Sequence, residues 1–268
     1  MRLTYLGTAA AEGFPAVFCR CDYCNEARKL GGKSIRTRSQ ALVNDDLLID
    51  LPADTYSHFL TNGIEGDKIP YLLLTHAHPD HLYHKELAMR SGAFAHAMRA
   101  STLTVYGSSQ TLAGIPSYKN IVLYPLHAFE RVQVGDYRVT PLPARHMTES
   151  EAFIYIIEGE KTLLYAHDTG YFYEEVFSYI ENEKLHFDLV SLDCTNVDLP
   201  ISDEGTHMGF PNILRAVERL TAMGAVTEKT RKYINHFSHN ANPLHPSLEQ
   251  RAAKHGLSVA FDGCKVDF

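Results

Sequence analysis

Short apolar runs with a strand-like pattern recur along most of the chain, and they constrain its fold more than any other feature. The runs lie at 2–8, 40–50, 69–76, 102–107, 121–126, 131–142, 152–159 and 162–168; turn residues separate them, and the pair Gly135 and Asp136 divides 131–142 as a hairpin turn would. Helical periodicity falls at 80–90, 173–183, 209–223 and 247–255, and later strand-like runs alternate with these helices. The first half is predicted to be antiparallel. Together the elements predict an α/β (α+β) sandwich that forms one domain over 1–268.

Charge and hydropathy disfavour several classes of partner. The chain has 25 basic and 32 acidic side chains and a formal net charge of −7, which disfavours a long nucleic acid or an anionic membrane surface. No window resembles a membrane span, and the N-terminal residues lack the pattern of a secretory signal. We expect a cytoplasmic protein that acts on a small molecule.

A dense group of metal-binding side chains follows the apolar run 71–74. His76, His78, Asp80 and His81 lie within six residues, in the segment THAHPDH. In extended backbone His76 and His78 point the same way, and Asp80 is expected to cap a following helix that has His81 in its first turn. Four such donors at a strand end predict a metal site.

This HxHxDH segment resembles the signature of the metallo-β-lactamase superfamily, which implies a four-layer αββα sandwich. The resemblance also implies ligands at later strand ends, where His146, Asp168 and His236 stand after apolar runs. By this resemblance one metal ion is held by His76, His78 and His146, the second by Asp80, His81 and His236, and Asp168 bridges them.

The implied centre holds two divalent ions, zinc or manganese, between which a hydroxide would be activated for hydrolysis. Asp50 and Thr75 are plausible groups for orienting the imidazole rings, although both would equally serve as turn residues. Flavo-diiron relatives typically have Glu where this chain has His78, so hydrolysis is favoured over oxygen reduction.

A second group of donors lies near the N-terminus. Cys19, Cys21 and Cys24 are too closely spaced for a disulfide framework, and three thiolates do not complete a tetrahedral site. Segment 6–24 resembles the opening of the phosphoribosyl 1,2-cyclic phosphate phosphodiesterase family. That resemblance implies a structural zinc with His239 as fourth ligand; His245 is the competing candidate.

Further matches to that family extend the resemblance to the closing segment FDGCKVDF. Asp193, in the segment LDC, resembles a strand-end aspartate of the family, and His207 resembles its auxiliary active-site histidine. By analogy Asp193 orients His207, which would bind phosphate or protonate the leaving oxygen; a surface position for His207 is the alternative. The segment 84–119 departs most from the family and is expected to shape the pocket.

The resemblance implies a metal-dependent phosphodiesterase, with Asp80 among the catalytic residues and a small anionic phosphodiester as substrate. The alternatives are a binding protein of the pyrroloquinoline quinone accessory type, an RNA 3′-processing nuclease, and a lactone or thioester hydrolase. A homodimer is expected by resemblance alone.

Overall fold

Two seven-stranded β-sheets contain most of the predicted apolar runs. The computed structural model describes residues 1–146 and 151–268. The first sheet contains β1 (Arg2–Gly7), β2 (Gln40–Val43), β3 (Leu47–Ile49), β4 (Tyr71–Leu73), β5 (Leu103–Ser108), β6 (Ile121–Leu126) and β14 (Lys265–Asp267). The second contains β7 (Val132–Val134), β8 (Tyr137–Pro143), β9 (Phe153–Glu158), β10 (Thr162–Ala166), β11 (Leu189–Asp193), β12 (Arg231–Asn235) and β13 (Ser258–Val259).

Both sheets are mixed, which corrects the expectation of an antiparallel first half. In the order β14-β1-β2-β3-β4-β5-β6, the pairs from β3 to β6 are parallel and the others antiparallel. A parallel pair needs a crossover, and α2 (Thr55–Asn62) and α3 (Ser109–Ala113) lie in two of these connections. Neither helix was predicted from the sequence.

The second sheet has the order β13-β12-β11-β10-β9-β8-β7, antiparallel from β7 to β10 and parallel from β10 to β13. Its crossovers contain α4 (Glu174–Asn182), α5 (Phe210–Ala222) and α6 (His245–Ala253). These three helices confirm the predicted helical segments to within two residues at each end.

The core forms three apolar layers that hold four structural layers together. Between the sheets, side chains such as Tyr5 and Ile49 from one sheet pack against Tyr155 and Leu163 from the other. A second layer packs the outer face of the second sheet against α4, α5 and α6, and a third packs the outer face of the first sheet beneath α2 and α3. Alternate strand residues face opposite layers, so both faces of each sheet are covered. This is the predicted αββα sandwich.

The prediction of a helix that begins at Asp80 is wrong. The segment turns at 79–81, and a 3₁₀ helix begins only at His84 and runs to Arg90. Leu51 donates its backbone N–H to the His81 carbonyl, and Tyr83 donates to the Leu51 carbonyl. Because these groups bond to a neighbouring segment, they are not available for a helical ladder. An unpredicted helix, α1 (Asp22–Leu30), follows the cysteine segment.

The parallel strands determine where the candidate site residues lie. The chain leaves β3 and β4 of one sheet and β10, β11 and β12 of the other in the same direction within each sheet. The polar residues that follow these strands therefore collect at one edge of the sandwich.

Candidate metal centre

The loop after β4 supplies four donors, as the sequence analysis predicted. His76 Nε2 lies 2.9 Å from His78 Nδ1, and His81 Nε2 lies 3.3 Å from Asp80 Oδ2. His76, Asp80 and His81 are buried, and His78 is half-buried. The turn at 79–81, rather than a helix, directs Asp80 and His81 inward.

Three donors from the second sheet meet this loop. Asp168 follows β10, His236 follows β12, and His146 lies three residues after β8. Asp168 Oδ2 lies 3.2 Å from His76 Nε2 and 3.0 Å from His81 Nε2, while Asp168 Oδ1 lies 3.2 Å from His146 Nδ1. The Asp168 carboxylate is therefore the centre of the whole arrangement.

The donors form two overlapping groups, in each of which all the donor atoms lie within 4.8 Å of one another. A third group on the same criterion combines Asp168 and His236 with Asp193 and His207; the two groups of predicted ligands are His76, His78, His146 and Asp168, and Asp80, His81, Asp168 and His236. Both correspond to the sets implied by the resemblance, with Asp168 in common. Their role as ligands stays a prediction, but the geometry that it requires is present.

Backbone conformation helps to aim three residues at this edge. Asp50, Asp168 and His236 each follow a strand and each have a positive φ, of 65°, 55° and 63°. The left-handed conformation is costly for residues other than glycine and is frequent at functional sites. Here it turns the chain sharply as it leaves the sheet.

Two buried carboxylates orient the donor rings. Asp50 Oδ2 lies 2.7 Å from His81 Nδ1, and Asp50 Oδ1 accepts the backbone N–H and hydroxyl of Thr75 at 2.8 and 2.9 Å. Thr75 Oγ1 lies 3.0 Å from His76 Nδ1. A carboxylate that accepts a hydrogen bond from one imidazole nitrogen leaves the other nitrogen free to bind a metal ion.

Asp193, at the end of β11 in the second sheet, corresponds to Asp50 in the first sheet. It accepts the Asp168 backbone N–H at 3.1 Å, and His207 Nδ1 lies 3.3 Å from its Oδ2. Thr195, which the sequence analysis missed, donates its hydroxyl to Asp193 and lies 2.9 Å from His236 Nδ1. The feature of the sequence that could have identified Thr195 is its position two residues after a strand-end aspartate.

Opposing charges perturb the pKa values of the central groups. Burial alone would raise the pKa of Asp168, but the surrounding histidines hold it well below its usual value. Burial would lower the pKa of His207, but its contacts with Asp168 and Asp193 raise it to about 10. A buried carboxylate facing several imidazole nitrogens stays ionised.

The donor set fits divalent metal ions. His81 Nε2, His236 Nε2 and Asp168 Oδ1 are buried, and none has a hydrogen-bond partner in the described part of the chain. These atoms lie close to neighbouring donors but are not aligned as hydrogen bonds, since they converge on shared centres. Unpaired buried polar atoms are costly, and a bound cation satisfies all three. Imidazole and carboxylate ligands suit zinc and manganese.

The cysteine cluster forms a separate group of four donors. Cys19, Cys21, Cys24 and His239 have donor atoms within 4.8 Å of one another, and His239 Nδ1 lies 3.6 Å from the Sγ atoms of Cys21 and Cys24. Hydrogen bonding to His239 lowers the pKa of Cys21 to about 6, whereas burial raises that of Cys24. His245 lies elsewhere, with its Nδ1 3.1 Å from Arg36 Nη2. Three thiolates and one imidazole fit a closed zinc site.

A cavity of about 380 Å³ opens onto the His/Asp cluster. Its lining includes His78, Asp80, His146, Asp168, His207 and His236, and also Glu12, Asn196, Ser238 and Asn240. None of its described lining residues comes from 84–119, which corrects the expectation for that segment. Residues of that segment instead line a separate apolar cavity of about 250 Å³ beneath α2.

The sequence matches the family model of the β-lactamase superfamily domain over residues 49–237, most of the chain. The chain belongs to the metallo-β-lactamase superfamily. Within the superfamily, it is similar to the coenzyme PQQ synthesis protein B of Methylobacterium radiotolerans, at 28% identity over 162 residues. That match covers 55% of this chain and 51% of the other protein, so it spans about half of the relative's length.

Two solved structures share the fold of this superfamily member over its whole length. A diphosphatase from the PhnP family has a TM-score of 0.75 at 22% identity, covering 100% of this chain and 97% of the other. Zinc-bound PqqB from Methylobacterium extorquens has a TM-score of 0.72 at 18% identity, covering 100% of both chains. At these identities the likeness establishes the fold.

The superfamily and the donor clusters together indicate a metal-dependent hydrolase. Among the described residues, no helix is both long and apolar enough to cross a membrane.

Proposed function

We propose that this protein is a metal-dependent phosphodiesterase that cleaves a small or cyclic phosphodiester. The observation that carries the proposal is the pair of donor groups that share Asp168 and open, together with His207, onto one cavity. When bound, two divalent ions supply activated water and neutralise charge on the phosphoryl group. The donors His76, His78 and His146 would hold one ion, and Asp80, His81 and His236 the other.

His207 is proposed to act on the substrate directly. Its Nδ1 lies 3.3 Å from Asp193 Oδ2, which orients the ring, and 3.0 Å from Asp168 Oδ1, which places the ring beside the metal ligands. The ring is 26% exposed and lines the cavity, which leaves Nε2 to face a bound substrate. From there it would donate a hydrogen bond to a phosphate oxygen and then a proton to the leaving oxygen.

Asp193 is a positioning residue in this proposal. It holds the His207 ring, and through the backbone N–H of Asp168 and the hydroxyl of Thr195 it also fixes groups that face the cavity. Asp50 has the same function for His81. The two carboxylates make the site rigid before a substrate arrives, which lowers the cost of aligning the reacting groups.

The first experiment compares a chromogenic phosphodiester with the matching phosphomonoester. Metal-replete protein is expected to hydrolyse the diester, and Asp80→Ala is expected to abolish turnover. His207→Gln is expected to keep the bound metals and lose turnover of the diester, while full turnover in that variant would remove His207 from the mechanism. Failure to cleave the diester with a filled metal centre would contradict the proposal and direct the search to lactones and thioesters.

A binding protein of the pyrroloquinoline quinone accessory type is the second candidate, and the partial similarity to coenzyme PQQ synthesis protein B supports it. Such a protein is expected to hold zinc at the cysteine cluster alone. Metal analysis separates the two proposals: about one zinc per chain and no turnover supports binding, and about three metal ions with diester cleavage supports catalysis.

A further inference from the structure

The cavity beside the His/Asp cluster has one acidic side chain that the metal centre does not use. Glu12 lines this cavity, and its side chain is 31% exposed. Its Oε1 accepts the Ser238 hydroxyl at 2.6 Å and the His239 backbone N–H at 3.2 Å. Glu12 is therefore held in place between the two donor clusters.

The hydrogen bonds of Glu12 connect it to the end of β12. Ser238 and His239 follow His236 by two and three residues. The same segment is tied to the N-terminal loop by two backbone hydrogen bonds, from Ala10 to the Phe237 carbonyl and from Phe237 to the Thr8 carbonyl. The Glu12 carboxylate consequently has little freedom to turn away from an incoming substrate.

The described lining of the cavity includes neither lysine nor arginine. The sequence of residues 147–150, Met-Thr-Glu-Ser, contributes none either. Outside the His/Asp cluster and His207, the only charged group of that described lining is Glu12; the other polar side chains there are neutral, such as those of Asn196 and Asn240.

Two arginines close in sequence or space to this wall, Arg38 and Arg145, already have partners of their own. Arg38 donates to the Ala11 carbonyl at 2.8 Å and pairs with Asp54 at 2.9 Å, and it lines a neighbouring cavity beyond Glu12. Arg145 donates to the Tyr171 carbonyl, and its guanidinium lies 4.0 Å from the centre of the Tyr173 ring. Neither guanidinium belongs to the described lining of the cavity at the His/Asp cluster, so that lining offers no arginine to a second anionic group.

From this distribution of charge we infer that the cavity selects phosphodiesters with a single negative charge, and that Glu12 is the residue that discriminates against a second phosphate on the same substrate. The inference rests on the proposed phosphodiesterase function. One phosphoryl group is met by the metal centre, whereas a further phosphate would meet Glu12 without a compensating cation. Like charges in a partly buried site repel more strongly than in water. Within the proposed class, a ribosyl cyclic phosphate without a 5-phosphate therefore fits better than one that carries it.

The test uses two substrates that differ at one position. These are adenosine 2′,3′-cyclic phosphate, with a free 5′-hydroxyl, and the same compound with a 5′-phosphate. With metal-replete protein, kcat/KM is expected to be at least about tenfold higher for the first, as for one uncompensated like-charge contact. The difference is expected mainly in KM and is expected to shrink as ionic strength rises.

Glu12→Gln provides the decisive variant. The glutamine retains an oxygen for the Ser238 and His239 hydrogen bonds and removes the charge, so the preference is expected to fall about tenfold. The readout is the ratio of kcat/KM for the two substrates within the variant, so it does not depend on the absolute turnover or metal content of that variant. Glu160→Gln is the matched control, because it makes the same charge change at an exposed turn between β9 and β10. It is expected to leave the preference unchanged.

Two results overturn the inference while the phosphodiesterase function stands. One is cleavage of both substrates with equal or better use of the 5′-phosphorylated compound; the other is a preference that Glu12→Gln does not alter. Titration calorimetry with each hydrolysis product, which measures affinity without turnover, is expected to show the same preference and the same loss of it in Glu12→Gln. If neither diester is cleaved by protein with a filled metal centre, the proposed function fails, and the inference fails with it.

Discussion

The two donor clusters of this protein lie close to each other but take their ligands from different kinds of segment. The His/Asp cluster takes its seven donors from the loop after β4 and from positions that follow β8, β10 and β12. The cysteine cluster takes three donors from residues 19–24 and one from His239. The two clusters meet in the segment between His236 and His239.

This difference in construction goes with a difference in expected role. The His/Asp cluster opens onto a cavity, and Asp50 and Asp193 support its rings from behind. The cysteine cluster offers four ligands, which is the number that a tetrahedral zinc site needs. No coordination position is then left for a substrate. We expect the first cluster to determine activity and the second to determine stability. The following variants test that separation, from the largest expected effect on turnover to the smallest.

Asp168→Asn is expected to have the largest effect. Asp168 is shared by both groups of the His/Asp cluster, and an amide gives up the charge that offsets the imidazole-bound cations. We expect kcat/KM to fall by at least ~10³-fold and active-site metal to be lost, as measured by turnover and by elemental analysis. Zinc in the cysteine cluster should remain. Loss of metal from both clusters together would contradict their independence.

Asp50→Asn is expected to have an intermediate effect. The amide no longer accepts the His81 Nδ1–H as a carboxylate does, so the ring is held less firmly. Metal affinity or turnover is expected to fall about 10- to 100-fold, which is typical for a group behind the ligands. Competition with a metal-binding dye measures the affinity. An unchanged affinity would show that Thr75 and the backbone orient the ring without the charge.

Cys24→Ser is expected to affect stability more than turnover. Cys24 is buried in a small apolar cluster with Phe14 and Ala27, and it is a donor of the cysteine cluster. We expect the loss of about one zinc per chain and of about 2–4 kcal/mol of unfolding free energy, seen as a Tm lower by roughly 5–15 °C. Residual turnover per folded molecule should remain within a few-fold. If turnover disappeared while the fold was retained, the proposed division of roles would be wrong.

His245→Gln is expected to have the smallest effect on turnover and to test a histidine outside both clusters. Burial, with the nearby Arg36, lowers the pKa of His245 from 6.5 to about 4. Arg36 Nη2 faces its Nδ1, which requires a neutral ring. Between pH 6.5 and 4 the unfolded chain binds a proton that the folded chain does not, so stability is complete above pH 6.5 and is lost as the pH falls.

Replacing His245 by glutamine removes that contribution. Denaturant unfolding measured at several pH values should therefore show a shallower loss of stability in acid, with unchanged zinc content. His239→Gln is the matched comparison, since it should release zinc from the cysteine cluster. Zinc release by His245→Gln would revive the alternative ligand.

Several features could be predicted from the sequence because they depend on local pattern. The run of donors from His76 to His81 after an apolar strand, and the spacing of Cys19, Cys21 and Cys24, each indicate metal binding within a few residues. The helices α4, α5 and α6 have clear helical periodicity. The strand-end positions of His146, Asp168 and His236 were identified through the resemblance to a superfamily with the same order of ligands.

Other features were decided by the tertiary structure. Parallel pairing from β3 to β6 depends on crossover connections. Two of these contain the helices α2 and α3, which are too short to give a clear helical pattern in the sequence. A turn at 79–81 is present in place of a helix because His81 and Tyr83 form backbone hydrogen bonds with Leu51, about thirty residues earlier. The place of Glu12 in the cavity wall follows from contacts with Ser238 and His239 across more than 220 residues. A local pattern specifies which groups a segment offers, but only long-range packing determines which of them meet, because contacts between distant segments leave no period in the sequence.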